Sequence, residues 1–273
     1  MTSVASPARH PAPIARERTL PERSDPMYSP YCAMYRFIAT QLGPAGRILD
    51  LSCGEGYGMP ILAASGATVL GVDIAPEAVL SARRRWRADD GRLAFVVADG
   101  ICLPFADASL AAVCSVETLE HIPDDAAFLR EIARVLHPGG TAAITTPNRD
   151  RPGSRSIPPN PYHVREYAPT EFKSLLRGVF RRVHVLGLHD PHGIHNPESR
   201  RARTLSLLNR IDGLRLRHLV PRHLRNLVMR RMGTVLPADT RTEDFSVSDT
   251  DVEHAINLIG LCSQIPQNNQ KGV

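Results

Sequence analysis

The sequence lacks the features of several common protein classes. It has only five cysteines, an odd number, and no C-x-x-C pair, so a disulfide framework is not indicated. No apolar run approaches the length needed to cross a bilayer, and residues 1–27 lack the apolar core of a signal peptide. We therefore expect a cytoplasmic protein whose thiols are reduced.

A glycine-rich loop is the most informative segment that is present. An apolar strand runs into Asp50 and then into a loop with glycine at positions 54, 56 and 58. A helical pattern follows, which places the loop at the carboxyl end of the first strand of an α/β sheet, where small ligands bind. Met59 occupies the third-glycine position of G-x-G-x-x-G, and no Gly-Lys-Ser/Thr follows, which argues against a dinucleotide fingerprint and a P-loop. The loop suits a ligand with an ammonium group and no phosphates.

Two further strands end in an acid. Val69–Val72 leads into Asp73, and the apolar run 93–97 is followed by Asp99. An acid after the second strand of such a sheet can accept hydrogen bonds from ribose hydroxyls. Asp99 can accept from an exocyclic amine such as that of adenine. Three acids at successive strand ends therefore predict a nucleoside site that accommodates a positive charge.

These motifs resemble those of the class I S-adenosylmethionine-dependent methyltransferases. The resemblance runs from about residue 28 to residue 188, and Ser52 departs from it by standing where the family usually has a glycine. The matching segments are residues 49–56, 71–74, 98–105, 116–122 and 134–140. The resemblance implies an enzyme with S-adenosylmethionine as its cofactor.

The resemblance also implies which residues bind the cofactor. The methionine moiety would be held by Asp50, Ser52, Gly54 and Gly56. The ribose and adenine would be bound by Asp73, Ile74, Asp99 and Gly100. Near the sulfonium and the acceptor would lie Val116 and Glu117.

Alternating strand and helix patterns predict an α/β fold with a Rossmann-like, doubly wound, seven-stranded sheet. Six strands are expected to be parallel, and the run 255–262 is expected to be the antiparallel seventh beside the sixth. The other strands are predicted near 47–51, 67–72, 93–97, 110–116, 140–146 and 181–188. Helices are predicted near 28–42, 57–65, 75–88, 124–136 and 170–178.

The chain divides into four predicted regions. Residues 1–27 form a flexible N-terminal arm, residues 28–189 and 254–265 the cofactor-binding domain, residues 190–253 a helical cap inserted before the last strand, and residues 266–273 a tail. Within the cap, residues 199–231 contain ten arginines and one acid, Asp212, with leucines between them. The patch accounts for the net charge of +5, since the remainder of the chain is acidic.

The arginine-rich patch has three interpretations. It is a solvated helical face packed by its leucines, a site for an anionic or lipid-linked substrate or a membrane surface, or a nucleic-acid site. Stacking aromatic residues are missing from it, which disfavours nucleic acid. We expect oligomer contacts, with a homo-oligomer formed through the cap or the N-terminal arm.

Candidate catalytic residues come from two loops at the carboxyl edge of the predicted sheet. His121 follows the fourth strand and is a candidate base or orienting group for an acceptor hydroxyl, with helix capping or packing as the alternative. His163 and Glu166, together with Arg165 and Tyr167, lie in a loop after the fifth strand that either lines the acceptor pocket or anchors the next helix.

A third loop is rich in histidine. His189, Asp190, His192 and His195 follow the sixth strand, and histidines with an acid can bind a divalent metal. Short histidine-rich loops are more often polar surface than metal sites, so we assign no metal.

The sequence thus predicts methyl transfer to a small-molecule acceptor, an O-methylation of a sugar or natural-product hydroxyl. The alternatives are C-methylation of an electron-rich ring or alkene, which would not need His121 as a base, and a cofactor-binding module without catalysis. The missing third glycine disfavours a nucleotide-dependent oxidoreductase. An RNA methyltransferase is disfavoured because no RNA-binding domain is recognisable.

Overall fold

The part of the chain that the computed structural model describes folds around one central β-sheet. The described residues are 28–44, 46–86, 91–151, 154, 160–190 and 242–264. The predicted N-terminal arm, residues 191–241 of the predicted cap with its arginine-rich patch, and the predicted tail lie outside these ranges. Among the described helices, none is long and apolar enough to span a membrane.

The sheet has eight strands in the order β3-β2-β1-β4-β5-β8-β6-β7. Strands β1 to β6 run parallel, and β8 runs antiparallel between β5 and β6. This topology confirms the Rossmann-like class and the antiparallel strand predicted near 255–262. The bounds are β1 (Arg47–Leu51), β2 (Thr68–Asp73), β3 (Leu93–Val97), β4 (Leu110–Ser115), β5 (Leu136–Pro147), β6 (Arg182–His189), β7 (Ser246–Ser248) and β8 (Asn257–Ser263).

The expected strand number of seven is wrong by one short strand. β7 pairs antiparallel with the outer side of β6, where Val247 lies opposite Leu188. Three residues, two of them serine, are too few and too polar to show the alternation by which strands are read from sequence. β7 also brings the chain back to the sheet before residue 254, within the segment 190–253 that was predicted as a cap.

Five described α-helices cover the two faces of the sheet. α1, α2 and α3 pack on one face, and α4 and α5 pack on the other. In β1, Ile48 belongs to the first core and Leu49 and Leu51 to the second, because successive side chains of a strand point to opposite faces. The helices are α1 (Tyr28–Leu42), α2 (Met59–Ala63), α3 (Pro76–Arg85), α4 (Asp125–Val135) and α5 (Pro169–Arg177).

Local hydrogen bonds set the starts of two helices near the carboxyl edge of the sheet. The side chain of Asp124 accepts from the N–H of Ala127 at 2.8 Å at the start of α4. The carboxylate of Glu171 accepts from the N–H of Ala168 at 3.1 Å at the start of α5. These bonds satisfy N–H groups that have no partner within the helix. Both helices consequently begin within one residue of their predicted starts.

Candidate active site

Acidic side chains from four neighbouring strands meet at the carboxyl edge of the sheet. Asp50 lies in β1, Asp73 ends β2, Asp99 follows β3 by two residues and Glu117 follows β4 by two. Because β1 to β4 are parallel neighbours, their carboxyl ends lie at one edge. The sequence predicted all four residues as ligand contacts, and this edge is the candidate active site.

The glycine loop between β1 and α2 is bound to Asp73. The N–H of Gly54 donates to Oδ2 of Asp73 at 2.9 Å, and the N–H of Ala75 donates to Oδ1 at 2.9 Å. Gly54, Gly56 and Ser52 have positive φ angles of 53°, 74° and 63°. A left-handed backbone conformation raises the conformational free energy of a residue other than glycine by about 1–2 kcal/mol. Ser52 is strained in this way, whereas the glycines are not. A carboxylate has about four acceptor sites, so Asp73 keeps capacity for a ligand.

Asp50 is buried beneath this loop. The hydroxyl of Tyr35 donates to Oδ1 of Asp50 at 3.0 Å, and Sγ of Cys114 lies 3.4 Å from the same oxygen. Burial raises the pKa of Asp50 to about 7, although both of these hydrogen bonds lower it. Since Tyr35 belongs to α1, the bond attaches this helix to the sheet. Asp50 has an exposed fraction of 0%, and its described side-chain contacts are with Tyr35 and Cys114.

The raised pKa of Asp50 predicts a pH-dependent contribution to stability. Between its ordinary pKa of 3.8 and about 7, the folded protein binds a proton at Asp50 that the unfolded chain does not bind. This contribution is therefore present at low pH and is lost as the pH rises through that window. We expect urea unfolding to show Asp50→Asn gaining stability relative to the wild type as the pH rises from about 4 to about 7, with no further gain above that range. A difference that stays constant with pH would contradict the assignment.

Exposed apolar side chains lie next to the acids of β2 and β3. Ile74 is 49% exposed and Ile101 is 38% exposed, although large apolar side chains are usually buried. Oδ1 of Asp99 accepts from the N–H of Ile101 at 3.1 Å. Gly100 has a packing role as well, because a Cβ there would lie 2.7 Å from the ring of Phe128. Apolar surface beside a carboxylate suits the adenine ring predicted for this position.

Glu117 combines a strained backbone with a hydrogen-bonded, partly buried carboxylate. Its φ is +50°, and such strain persists where the surrounding structure enforces it. Oε1 accepts from the hydroxyl of Thr145 at 2.8 Å, and Oε2 accepts from Nδ2 of Asn257 at 2.7 Å. Desolvation raises the pKa of Glu117 to about 7. The preceding residue, Val116, is buried. Sequence reasoning missed Thr145 and Asn257 because they come from β5 and β8, far along the chain.

Two histidine rings contact each other at the same edge. The ring centroids of His121 and His163 are 4.9 Å apart with an interplanar angle of 79°. Nδ1 of His121 lies 3.0 Å from the carbonyl oxygen of Tyr162, and Nδ1 of His163 lies 2.8 Å from Oε1 of Glu166. Because these oxygens are acceptors, each Nδ1 carries a proton, and in the neutral form of each ring Nε2 is the nitrogen with the lone pair. The structure therefore brings together His121, His163 and Glu166, the residues that the sequence proposed as catalytic candidates.

Glu166 is held as an anion by its two partners. The hydrogen bond from His163 is the largest cause that lowers the pKa of Glu166 to about 2, with the guanidinium of Arg151 as a second cause. NH1 of Arg151 lies 2.9 Å from Oε2 of Glu166. Arg151 was not identified from the sequence, because no local pattern connects it with a residue 15 positions away.

The loop that carries His163 is anchored to the start of α4. NH1 of Arg165 and the hydroxyl of Tyr167 both donate to Oδ2 of Asp125, at 2.6 Å and 2.8 Å. Burial, followed by the hydrogen bond to Asp125, raises the pKa of Tyr167. Tyr167 is buried and so anchors the loop instead of lining a pocket. The N–H of Val164 donates to the carbonyl of Glu120 at 2.8 Å, which places the loop against the segment that carries His121.

The histidine-rich loop is described only at its beginning. His189 is the last residue of β6 and pairs with Ser246 of β7. His192 and His195 of the predicted metal-binding candidates lie outside the described residues. The cysteines, in contrast, are all described, and all five are free thiols, as expected from their number and spacing.

Comparison with known proteins identifies the family. Residues 49–144, from β1 to β5, match a family described as methyltransferase domain. A probable S-adenosylmethionine-dependent methyltransferase of Mycobacterium tuberculosis is 36% identical over 196 residues, which cover 69% of this chain and 68% of that protein. A ubiquinone biosynthesis O-methyltransferase of Xanthomonas axonopodis is 32% identical over 185 residues, covering 62% and 75%.

A solved structure supports the fold. The possible histamine N-methyltransferase from Thermotoga maritima superposes with a TM-score of 0.57 at 16% identity, covering 87% of this chain and 91% of that chain. The glycine loop, the free acceptor capacity of Asp73 and the apolar surface at Ile74 fit the same cofactor that the relatives use. The chain belongs to the class I S-adenosylmethionine-dependent methyltransferases, and S-adenosylmethionine is its cofactor.

Proposed function

We propose that this enzyme methylates a hydroxyl of a small molecule, a sugar or a natural product. The observation that carries the proposal is the contact between His121 and His163, with Glu166 fixing the second ring. An alcohol hydroxyl holds its proton at neutral pH, so its methylation benefits from groups that promote loss of that proton. Two oriented imidazoles beside the cofactor loops are suited to this task.

Each member of the predicted catalytic set has a distinct contribution in this proposal. The carbonyl of Tyr162 keeps the proton of His121 on Nδ1, so Nε2 is the atom that acts on the acceptor hydroxyl. The carboxylate of Glu166 likewise keeps a proton on Nδ1 of His163. Because Glu166 is an anion, it also stabilises positive charge on that ring. When bound, S-adenosylmethionine supplies a methyl group on a sulfonium. The acceptor oxygen attacks the methyl carbon, so positioning supplies much of the rate.

Two further observations support a small hydroxyl acceptor. Tyr162 and Val164, next to His163, are 37% and 59% exposed, so the loop presents apolar surface beside polar groups. The Xanthomonas axonopodis relative is named an O-methyltransferase, and we extend that reaction type to this chain as part of the proposal. The arginine-rich patch has no stacking aromatics, and we do not include nucleic acid among the acceptors.

The position of the transferred methyl group tests the proposal. The full chain is incubated with S-adenosylmethionine carrying a labelled methyl group and with a panel of sugars, phenols and hydroxylated natural products. We expect products whose labelled carbon has the NMR shift of a methyl ether. A carbon-bound methyl would establish the alternative, C-methylation. If S-adenosylhomocysteine binds but no acceptor in a broad panel is methylated, the protein would instead be a cofactor-binding module.

We further propose that the cofactor is held by the residues assigned from the sequence. The loop of Ser52, Gly54 and Gly56 above Asp50 would hold the methionine moiety. The ribose hydroxyls would bind Asp73, and the adenine would lie between Ile74 and the Asp99–Gly100 turn. Glu117, after Val116, would lie near the sulfonium. The support for this arrangement is that these residues share one sheet edge.

The ribose assignment predicts a loss of affinity in Asp73→Ala. Removing a charged hydrogen-bond acceptor is expected to weaken S-adenosylhomocysteine binding by about 1.5–3 kcal/mol, measured by calorimetric titration. Asp150→Ala is the matched control, because Asp150 is exposed and bonded only to Arg149 by its side chain among the described contacts. Unchanged affinity in Asp73→Ala would remove the ribose role.

We also propose a cytoplasmic homo-oligomer assembled through the cap or the N-terminal arm. The support is compositional, since leucines and ten arginines alternate in residues 199–231, which lie outside the described residues. Light scattering of the full chain tests the assembly, and a mass equal to one chain at micromolar concentration would contradict it.

A further inference from the structure

We propose that Glu120, His121 and His163 hold a divalent transition-metal ion, and that the acceptor hydroxyl binds to it. The second part rests on the proposed O-methylation. One ligand atom from each of these residues lies within 4.8 Å of the others. Oε1 of Glu120 is 3.9 Å from Nε2 of His121. Ligand atoms around a tetrahedral ion are about 3.3 Å apart at bond lengths of about 2 Å, so small side-chain movements would close the site.

Each proposed ligand has an outer hydrogen-bond partner. His121 is oriented by the carbonyl of Tyr162, and His163 by the carboxylate of Glu166. Oε2 of Glu120 accepts from the hydroxyl of Thr146 at 3.0 Å. Metal-binding histidines in proteins almost always have such a partner on the second ring nitrogen, which fixes the tautomer and leaves the other nitrogen for the metal. The three residues therefore have the support that a metal site requires.

Described contacts of Asn160 must change when the ion binds. Nδ2 of Asn160 lies 2.9 Å from Nε2 of His163, the nitrogen assigned to the metal. Asn160 also accepts from the N–H of Tyr162 through Oδ1 at 3.0 Å. Rotation of the Asn160 amide group releases Nε2 of His163, and the same rotation gives up the bond from the N–H of Tyr162.

The donor set selects the kind of metal. Two imidazoles and one carboxylate are a ligand set of catalytic zinc sites, which keep a further position open for water or substrate. Mg²⁺ prefers oxygen ligands, whereas imidazole suits zinc and neighbouring transition metals. Glu120 is 1% exposed, so its charge acts at low solvent screening. The site is therefore assigned to Zn²⁺ or a similar ion.

With the ion bound, the histidines promote methylation as its ligands, and Nε2 of His121 acts on the acceptor hydroxyl through the ion and does not take the proton itself. A hydroxyl bound to Zn²⁺ has a lowered pKa, as a zinc-bound water does. Its proton passes to bulk water, the oxygen forms a bond to the methyl carbon, and the carbon–sulfur bond breaks with its electron pair remaining on sulfur. An acceptor with a second oxygen next to the hydroxyl would chelate the ion. The inferred acceptor class is thus vicinal diols and ortho-dihydroxy rings.

Sequence patterns assigned no metal to this protein. Glu120 and His121 are adjacent, but His163 is more than forty residues further along the chain. The Glu120 carbonyl accepts from the N–H groups of Val164 and Arg165, and these bonds bring His163 to the other two residues. The ligand set exists only after the loop has docked.

Metal binding by the full-length protein tests the site without turnover. After treatment with a chelator, the protein is titrated calorimetrically with Zn²⁺, and with Mg²⁺ for comparison. We expect one Zn²⁺ per chain and much weaker Mg²⁺ binding. Glu120→Gln and His163→Ala should each weaken Zn²⁺ binding on the order of 100-fold or more, and Glu166→Gln by roughly 10–100-fold. His137→Ala, at an exposed histidine, should bind as the wild type does.

The outcomes separate the metal site from the proposed reaction. S-adenosylhomocysteine binding by each variant shows that it is folded. Absence of Zn²⁺ binding, or binding that none of the cluster variants weakens, would overturn the site. Full O-methylation of a diol after chelation would overturn the role of the ion in catalysis. Zn²⁺ bound by the cluster in an enzyme that produces only carbon-bound methyl groups would leave the site standing and remove the O-methylation proposal.

Discussion

Replacing His121 by alanine is expected to slow methyl transfer by roughly 10²–10⁴-fold, the usual contribution of a group that assists proton loss. The affinity for S-adenosylhomocysteine should stay nearly unchanged, because the residues proposed to hold the cofactor end with Glu117, whereas the described contacts of the His121 side chain are with Glu120, Tyr162 and His163. The rate is measured as kcat with saturating acceptor and S-adenosylmethionine. The affinity is measured by calorimetric titration of the protein with S-adenosylhomocysteine. His137→Ala is the matched control for loss of a histidine.

Two results would contradict the assignment of His121. A rate loss below tenfold would make it a packing residue, the alternative that its position after β4 allowed. A large loss of S-adenosylhomocysteine affinity, accompanied by a lower unfolding midpoint, would mean that its ring supports the loop of residues 160–167. A decrease in kcat alone fits a role in the chemical step.

Replacing Gly58 by alanine is expected to lower the free energy of unfolding by about 2–6 kcal/mol. A Cβ at this position would lie 2.2 Å from Cζ of Tyr35, a distance that requires the ring to move. Overpacking alone costs about 1–3 kcal/mol. Displacing the ring also breaks the hydrogen bond from Tyr35 to the buried Asp50, which costs about 1–3 kcal/mol more. We expect S-adenosylhomocysteine binding to weaken as well, because Gly58 ends the cofactor loop.

Urea unfolding of four variants isolates the cause. Gly58 has an ordinary right-handed conformation, with φ −74° and ψ −29°, so alanine introduces no backbone strain. Gly46→Ala is the matched control, since a Cβ at Gly46 meets no atom within 4 Å. In a Tyr35→Ala background, Gly58→Ala should cost much less, because the ring that it meets is gone. Equal costs in both backgrounds would show that the clash is not the reason.

Much of the fold was predictable because its signals are local. The strands β1 and β4 are almost wholly buried, and β2 and β3 are apolar runs with partly buried side chains, so all four stand out in the sequence. Helices follow them with their own periodicity. Right-handed connections then leave few topologies. β7 was missed because Ser246 and Ser248 flank a single apolar residue. It forms because Leu188 and its neighbours in β6 offer free backbone groups at the edge.

The site was predictable where topology alone brings residues together. Asp73 and Asp99 end parallel neighbouring strands, so their order along the chain already implies one shared edge. The hydrogen-bond partners of a buried carboxylate, in contrast, do not follow from the order of the strands. Asn257 bonds to Glu117 from 140 residues away, and nothing near either residue indicates the other.

The sequence by itself determined the class of fold, the cofactor and the sheet edge proposed as the active site, because each depends on motifs of a few contiguous residues. Only the tertiary structure decided which polar groups pair. It placed Tyr35 on Asp50, and it brought His163 to Glu120 and His121. Hydrogen bonds and metal coordination depend on distances of a few ångströms in space, and those distances exist only once the loop of residues 160–167 and α1 have packed on the sheet.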